Sequence, residues 1–209
     1  ENIFPQLCDA VLNGRGLENT GGIHFRKDDS IRYTGDVEYV RDLDNLPMPA
    51  YDRFPMDRYE GHFYRRWTTG YRKPFANIVT SRGCPFSCGF CSNVMWGKKL
   101  RFQSPERVLA EIDYLVKNYG ARQMSFFDDI FTVDTARVHR ICDLIIERGY
   151  KLDLFCSTRV DVLDEKLVRK MFSAGFRWIG VGIESGNEMI LKKISKGQTP
   201  EKCSRTLKM

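Results

Sequence analysis

The period of the hydrophobic positions changes along the chain. From about residue 70 onward, short apolar runs alternate with stretches whose apolar residues recur every three or four positions. That alternation predicts strands separated by amphipathic helices in a parallel α/β domain. The run Phe75-Ala76-Asn77-Ile78-Val79-Thr80 predicts a first strand feeding straight into a loop. Ser104 then offers an N-cap and Pro105 a first helical position, with Val108, Leu109, Ile112, Leu115, Val116 and Tyr119 as the buried stripe and Gly120 as the stop. A second strand from Gln123 to Phe127 ends at Asp128-Asp129. Its helix starts near Asp134 and runs through Val138, Ile141, Ile145 and Ile146 to Gly149. The third strand, Leu152 to Ser157, ends near Arg159 and Asp161. The helix after it is capped by Asp164, buries Leu167, Val168, Met171 and Phe172, and stops at Gly175. A fourth strand, Trp178 to Ile183, ends at Glu184-Ser185-Gly186, and a further helix pair fills the remainder.

The first 70 residues lack this rhythm. Ile3 to Leu12 predict the end of a helix, stopped near Asn13-Gly14. Ile23-His24-Phe25-Arg26 and Ile31-Arg32-Tyr33 predict a small hairpin turning at Lys27-Asp28-Asp29-Ser30. Leu43 to Tyr51 holds Pro47 and Pro49 and predicts an extended linker. The chain therefore divides, on this reading, into residues 1–69 and a core of residues 70–209. Four consecutive βα units curl into a barrel or lie in an open doubly wound sheet. Either way the active site lies at the C-terminal ends of the strands, where the sequence places its unusual residues. A cysteine loop follows strand one, Asp128 and Asp129 end strand two, Arg159 ends strand three and Glu184 ends strand four. The convergence argues for an enzyme, although each residue alone has a plainer reading: Asp128 or Asp134 as a helix cap, Glu184 as a surface charge.

Composition narrows the class only modestly. The 209 residues carry 33 Lys and Arg against 27 Asp and Glu, for a net charge of +6. The densest basic cluster, Arg65-Arg66 with Arg72-Lys73, reads as a solvated surface, and no nucleic-acid partner is expected from it. No apolar run approaches the ~18 residues that a membrane helix needs. The chain opens at Glu1 and stops inside a helical pattern, Pro200 to Met209, so a fragment of a longer protein is expected.

The sharpest chemistry lies in Arg82-Gly83-Cys84-Pro85-Phe86-Ser87-Cys88-Gly89-Phe90-Cys91-Ser92-Asn93. The pattern is CxxxCxxC, with an aromatic residue before the last cysteine. Three thiolates on one loop can hold three irons of a 4Fe–4S cluster and leave the fourth open to a small molecule. A structural zinc site asks for four closed ligands, but there is no second cysteine pair, and His24, His62 and His139 are scattered singly. Seven cysteines and no signal peptide argue against a disulfide framework. An electron-carrying cluster usually takes four cysteines. Cys142, Cys156 and Cys203 fall in apolar patterns and read as core packing, and Cys8 is uninformative.

These residues, over roughly 70 to 209, resemble the radical S-adenosylmethionine enzymes. Asp42-Leu43-Asp44-Asn45-Leu46-Pro47-Met48-Pro49-Ala50 looks like the linker joining a cobalamin-binding domain to such a barrel. Phe126 to Thr132, Ser157-Thr158-Arg159-Val160-Asp161 and Gly182 to Asn187 are similar to the subfamily with cobalamin-dependent methyltransferases and the anaerobic magnesium-protoporphyrin cyclase. The resemblance implies an α/β fold, a partial (β/α)6 TIM-like barrel incomplete in this chain, with a small N-terminal α+β appendage. Residues 1–69 would be the tail of a cobalamin domain plus linker, and 70–209 the first four βα units of the radical core.

Cys84, Cys88 and Cys91 are implied as the ligands of the 4Fe–4S cluster, and Phe90 as a neighbour of the adenine. Asp128 or Asp129 would accept from the methionine ammonium, Arg159 would pair with the methionine carboxylate, and Glu184, with Ser185, would meet the ribose hydroxyls. No catalytic residue is implied beyond these ligands. The implied reaction is reductive cleavage of S-adenosylmethionine to a 5′-deoxyadenosyl radical, in the service of cobalamin-dependent methylation or related modification of an unactivated carbon. Cobalamin would belong to the full-length protein, since no DxHxxG motif occurs in the chain. A small-molecule substrate, an electron donor such as flavodoxin or ferredoxin, no membrane span and a reducing cytoplasm complete the expectation. The alternatives are a methylthiotransferase-like radical enzyme and a non-catalytic iron–sulfur or zinc module. The upstream segment offers only Cys8 for the second cluster that the former needs.

Overall fold

The computed structural model describes residues 2–59, 74–92 and 95–209. The basic cluster Arg65, Arg66, Arg72 and Lys73, together with His62, lies outside the described residues. Two compact units form, Glu1–Leu43 and Asp44–Met209. The first holds α1 (Ile3–Leu12) and an antiparallel hairpin, β1 (His24–Lys27) and β2 (Ser30–Tyr33). Asp28 turns the hairpin in the left-handed region at φ 53°. Thr34 closes its open end, its hydroxyl accepting from Ile23 N at 3.0 Å and donating to Ile23 O at 3.1 Å. His24 stacks on Tyr33 with ring centroids 4.5 Å apart. Helix and hairpin lie where the pattern put them.

The second unit is built on four parallel strands, β3 (Phe75–Ile78), β6 (Gln123–Phe126), β7 (Asp153–Thr158) and β8 (Phe176–Val181), in that spatial order. Between β3 and β6, β4 (Ser81–Arg82) and β5 (Arg101–Phe102) pair antiparallel. The helices α2 (Pro105–Tyr119), α3 (Thr135–Arg148) and α4 (Glu165–Ser173) connect the sheet strands, and α5 (Glu188–Lys193) and α6 (Pro200–Thr206) follow β8. Each strand lies beside its predecessor with no switch in order. With right-handed crossovers, that winding stacks the helices on one face, as in a barrel, and sets aside the doubly wound alternative.

The helix starts follow the sequence closely. Ser104, Asp134 and Asp164 cap α2, α3 and α4, each side chain accepting from a backbone N–H three residues on. Alternate strand residues Ala76, Ile78, Met124, Phe126, Leu154 and Cys156 join Val108, Ile112, Leu115, Val138, Ile141, Cys142, Ile145, Leu167 and Met171 in one core. Cys142, Cys156 and Cys203 are buried, as their apolar settings implied. Phe126, Phe131 and Phe176 pack at centroid distances of 4.4, 5.3 and 5.4 Å. Phe172 departs from the expected stripe and is 62% exposed. The core of α4 needs only Leu167 and Met171, one turn apart, and Phe172 rotates to the flank, where the Arg177 guanidinium covers its ring at 4.7 Å.

The segment from Leu43 to Tyr51, expected as an extended linker, is held against α2. Asp44 Oδ1 accepts from Ser104 N at 2.8 Å, and Arg107 Nη2 donates to Leu46 O at 3.2 Å. Tyr51 is buried beside Tyr114 and Tyr119, and its hydroxyl donates to Glu111 Oε1 at 2.6 Å. The two compact units divide between residues 43 and 44.

Burial pushes the Glu111 carboxyl above its ordinary 4.5, and the bonds from Tyr51 and the nearby Arg107 only partly offset this. A raised folded value favours the protonated form. Its stabilisation is therefore present below the ordinary value and lost as pH rises through the folded one. Two outcomes are expected in urea unfolding. Tyr51→Phe, which strips the buried carboxylate of a donor, costs about 1–3 kcal/mol at neutral pH. Glu111→Gln costs less and removes the loss of stability that wild type shows as pH climbs out of the carboxylate range.

Candidate active site at the strand ends

The cysteine loop is anchored before it begins. At the end of β3 the chain leaves the sheet, and Asp128, two residues past β6, takes hold of it. Its Oδ1 accepts from Thr80 N at 2.7 Å, and its Oδ2 accepts from the Thr80 and Ser81 hydroxyls at 2.6 and 2.7 Å. From the other side, Thr80 O accepts from Gln103 N at 2.9 Å and from Arg137 Nη2 at 2.9 Å. Asp128 is 4% exposed, and burial raises its carboxyl above the ordinary 3.8 against the pull of those bonds and Arg137. Gly83 then turns at φ 92°, where an added Cβ would meet Lys99 O at 2.4 Å. Cys84 N donates to Gly97 O at 3.2 Å, and β4 and β5 brace the base of the loop.

The far side of the loop rests on residues 194–197, which follow α5. Gly89 N donates to Ile194 O at 2.8 Å. Arg159, just past β7, donates from Nη1 to Cys88 Sγ at 3.4 Å and from Nη2 to Lys196 O. Its Nε and Nη2 fork onto Asp161 at 2.8 and 2.7 Å, and its face lies 3.8 Å from the Phe86 ring centroid. Burial opposes both charges, but the ion pair outweighs it. The Asp161 carboxyl lies below its ordinary range and the Arg159 guanidinium above. Within the chain, the carboxylate that Arg159 pairs with is that of Asp161. Lys196 Nζ bonds Glu184 Oε1 at 2.8 Å and sits 5.5 Å from the Phe90 ring centroid. Glu184 takes φ 68°, and an added Cβ at Gly182 would fall 2.8 Å from its Oε1 and 3.0 Å from Lys196 Nζ.

The predicted residues thus separate. Asp128 is a buried anchor. Asp129 is exposed, close enough to act on Cys84, and partial burial holds its carboxyl above 3.8. Phe90 is 56% exposed, and Ser185 Oγ accepts from Asn187 N at 3.1 Å. Lys196, Phe86 and Thr80 were missed. Gly197 is a signal for a turn after α5, but the partners of Lys196 lie on other strand ends and no spacing encodes them. All seven cysteines carry thiols. Among the described residues, no group of three His, Cys, Asp or Glu side chains stands preset to hold a metal ion. The donor chemistry nevertheless fits an iron–sulfur cluster. Burial raises the Cys84 thiol above 9.0, and the negative charges of Asp129, Cys91 and Cys88 add to the rise. Thiolates that repel one another on one loop are relieved by a cationic metal, and Arg159 brings an N–H to one of the sulfurs.

The radical SAM superfamily matches residues 78–209. The chain is similar to an uncharacterized methyltransferase of Pyrococcus horikoshii, 35% identical over 202 residues, covering 96% of this chain and 42% of that protein. It is also similar to the anaerobic magnesium-protoporphyrin IX monomethyl ester cyclase of Rubrivivax gelatinosus, 30% identical over 216 residues, covering 100% of this chain and 37% of that one. Its fold matches the cobalamin-dependent S-adenosylmethionine radical enzyme OxsB, solved with aqua-cobalamin and S-adenosylmethionine bound. The TM-score is 0.79 at 21% identity, over 98% of this chain and 30% of that one. The chain spans less than half the length of each of these proteins. Among the described residues no helix is long and apolar enough to cross a membrane. On the match over residues 78–209, the chain belongs to the radical S-adenosylmethionine superfamily, whose 4Fe–4S cluster and S-adenosylmethionine are the cofactors expected from the cysteine loop.

Proposed function

We propose that the full-length protein cleaves S-adenosylmethionine reductively and uses the result in cobalamin-dependent methylation of an unactivated carbon in a small molecule. The observation that carries this reading is the convergence of Cys84, Cys88 and Cys91 with Asp129, Glu184 and Lys196 at the C-terminal edge of one parallel sheet. The methyltransferase relative supports the net reaction. The fold shared with OxsB supports cobalamin as a cofactor of the full-length protein, with residues 1–43 as the end of its domain. A flavodoxin or ferredoxin as electron donor and a reducing cytoplasm suit the same chemistry.

A 4Fe–4S cluster held by the three thiolates would supply the electron and an open iron for the amino and carboxylate groups of methionine. Everything else falls to the chain. Asp129 accepts from the methionine ammonium, because Asp128 has both oxygens committed to Thr80 and Ser81. Glu184 shares Oε1 with Lys196, and its Oε2 would accept from the ribose hydroxyls. Ser185 adds its hydroxyl hydrogen, and Phe90 offers its exposed ring to the adenine. Arg159 and Gly89 keep the loop seated on the turn after α5.

Anaerobic protein reconstituted with iron and sulfide is expected to form 5′-deoxyadenosine from S-adenosylmethionine and dithionite, read by chromatography. Serine at Cys84, Cys88 or Cys91 should abolish the product. Formation of no 5′-deoxyadenosine by wild-type protein that holds a reduced cluster would contradict the reading. The two aspartates are expected to part company. Asp129→Asn keeps the fold and the cluster but raises the KM for S-adenosylmethionine by roughly 5–30-fold, the equivalent of one or two kcal/mol. Asp128→Ala leaves a buried N–H unpaired and lowers unfolding stability by about 1–3 kcal/mol.

A further inference from the structure

Arg159 has no donor edge turned to solvent. It is 4% exposed, forked onto Asp161, bonded to the Lys196 carbonyl, and covered on one face by Phe86. Its remaining nitrogen, Nη1, ends on Cys88 Sγ at 3.4 Å. Asp161 is fixed in turn from the C-terminal side: Gln198 Nε2 donates to its Oδ1 at 3.4 Å and Lys202 Nζ to its backbone carbonyl at 3.4 Å. One continuous set of polar contacts therefore runs from residues 198–202 through Asp161 and Arg159 to a cysteine of the ligand loop. A guanidinium so committed is a fixed charge rather than a receptor for a passing carboxylate.

The geometry points to Arg159 as a positioning residue that seats Cys88 and sets the reduction potential of the cluster, with Asp161 as its counterweight. The inference rests on the cluster reading proposed above. Reduction adds one electron, delivered by the external reductant, and no proton moves through Arg159. The added negative charge spreads onto the ligating sulfurs, and an N–H donor to one of them stabilises the reduced state more than the oxidised one. Burial keeps water from screening the effect. Arg159 therefore raises the potential, while the carboxylate of Asp161 holds part of that rise back. The two charges act in opposite directions although they belong to one ion pair.

That opposition makes the test decisive. Full-length wild-type protein, Arg159→Gln, Arg159→Lys and Asp161→Asn are reconstituted anaerobically. Each is titrated with dithionite against redox mediators without S-adenosylmethionine, the reduced cluster being counted by electron paramagnetic resonance. Arg159→Gln is expected to shift the midpoint to more negative potential, Arg159→Lys less so, and Asp161→Asn to more positive potential. A merely structural role for the pair would cost cluster occupancy in both variants without shifting the midpoints in opposite directions. Unmoved midpoints, or shifts of the same sign in Arg159→Gln and Asp161→Asn, overturn the inference. Should Arg159→Gln fail to hold a cluster, Asp161→Asn decides alone, and an unmoved or more negative midpoint overturns it. A wild-type protein with no cluster signal would sink the underlying reading; a normal wild-type cluster with unmoved variants sinks only this inference.

Discussion

The grip of Asp128 on Thr80 and Ser81 is the constraint on which the rest of the site depends. A parallel strand that ends in a loop has backbone groups to satisfy and no neighbour to satisfy them. Here the carboxylate from the adjacent strand end accepts from one backbone N–H and two hydroxyls, while Gln103 and Arg137 donate to the carbonyl of the same residue. Thr80 is thereby fixed from both sides, and the loop that carries the three cysteines leaves the sheet in one direction. A buried carboxylate with fewer donors would be a liability, since desolvation without full hydrogen bonding costs several kcal/mol.

From that fixed start, the loop crosses the strand ends and is received by parts of the chain far from it in sequence. Gly89 meets Ile194, Cys88 meets Arg159, and Phe90 lies near Lys196. The turn at residues 194–197 thus does two things at once. It docks the cysteine loop, and it places a buried lysine, 6% exposed, against Glu184. Gly182 has no side chain in the space that this pair occupies. The barrel-like winding explains why these contacts are possible: each βα unit advances by one strand, so four loops arrive in sequence along one edge.

Much of this was legible beforehand, for identifiable reasons. Helix caps at Ser104, Asp134 and Asp164 are local signals, and local structure follows them. The burial of Asp128 and the exposure of Asp129 also follow a pattern present in the sequence. Past β6 the chain keeps strand alternation, with Phe126 buried, Phe127 exposed, Asp128 buried and Asp129 exposed. Continuing the period of two through the end of the strand turns Asp128 inward and Asp129 outward. Arg159 lies just past β7, and Asp161, two residues away, takes up its guanidinium fork. Lys196 and Phe86 carried no readable signal. Their roles arise from contacts that only the assembled sheet creates.

The central claim is that this loop holds a cluster with one iron reserved for S-adenosylmethionine. Mössbauer spectroscopy of full-length protein reconstituted with the iron-57 isotope reads that directly. One iron of the cluster is predicted to change its isomer shift when S-adenosylmethionine is added while the others stay as they were. A spectrum in which all the irons remain equivalent and unmoved by S-adenosylmethionine would contradict the account.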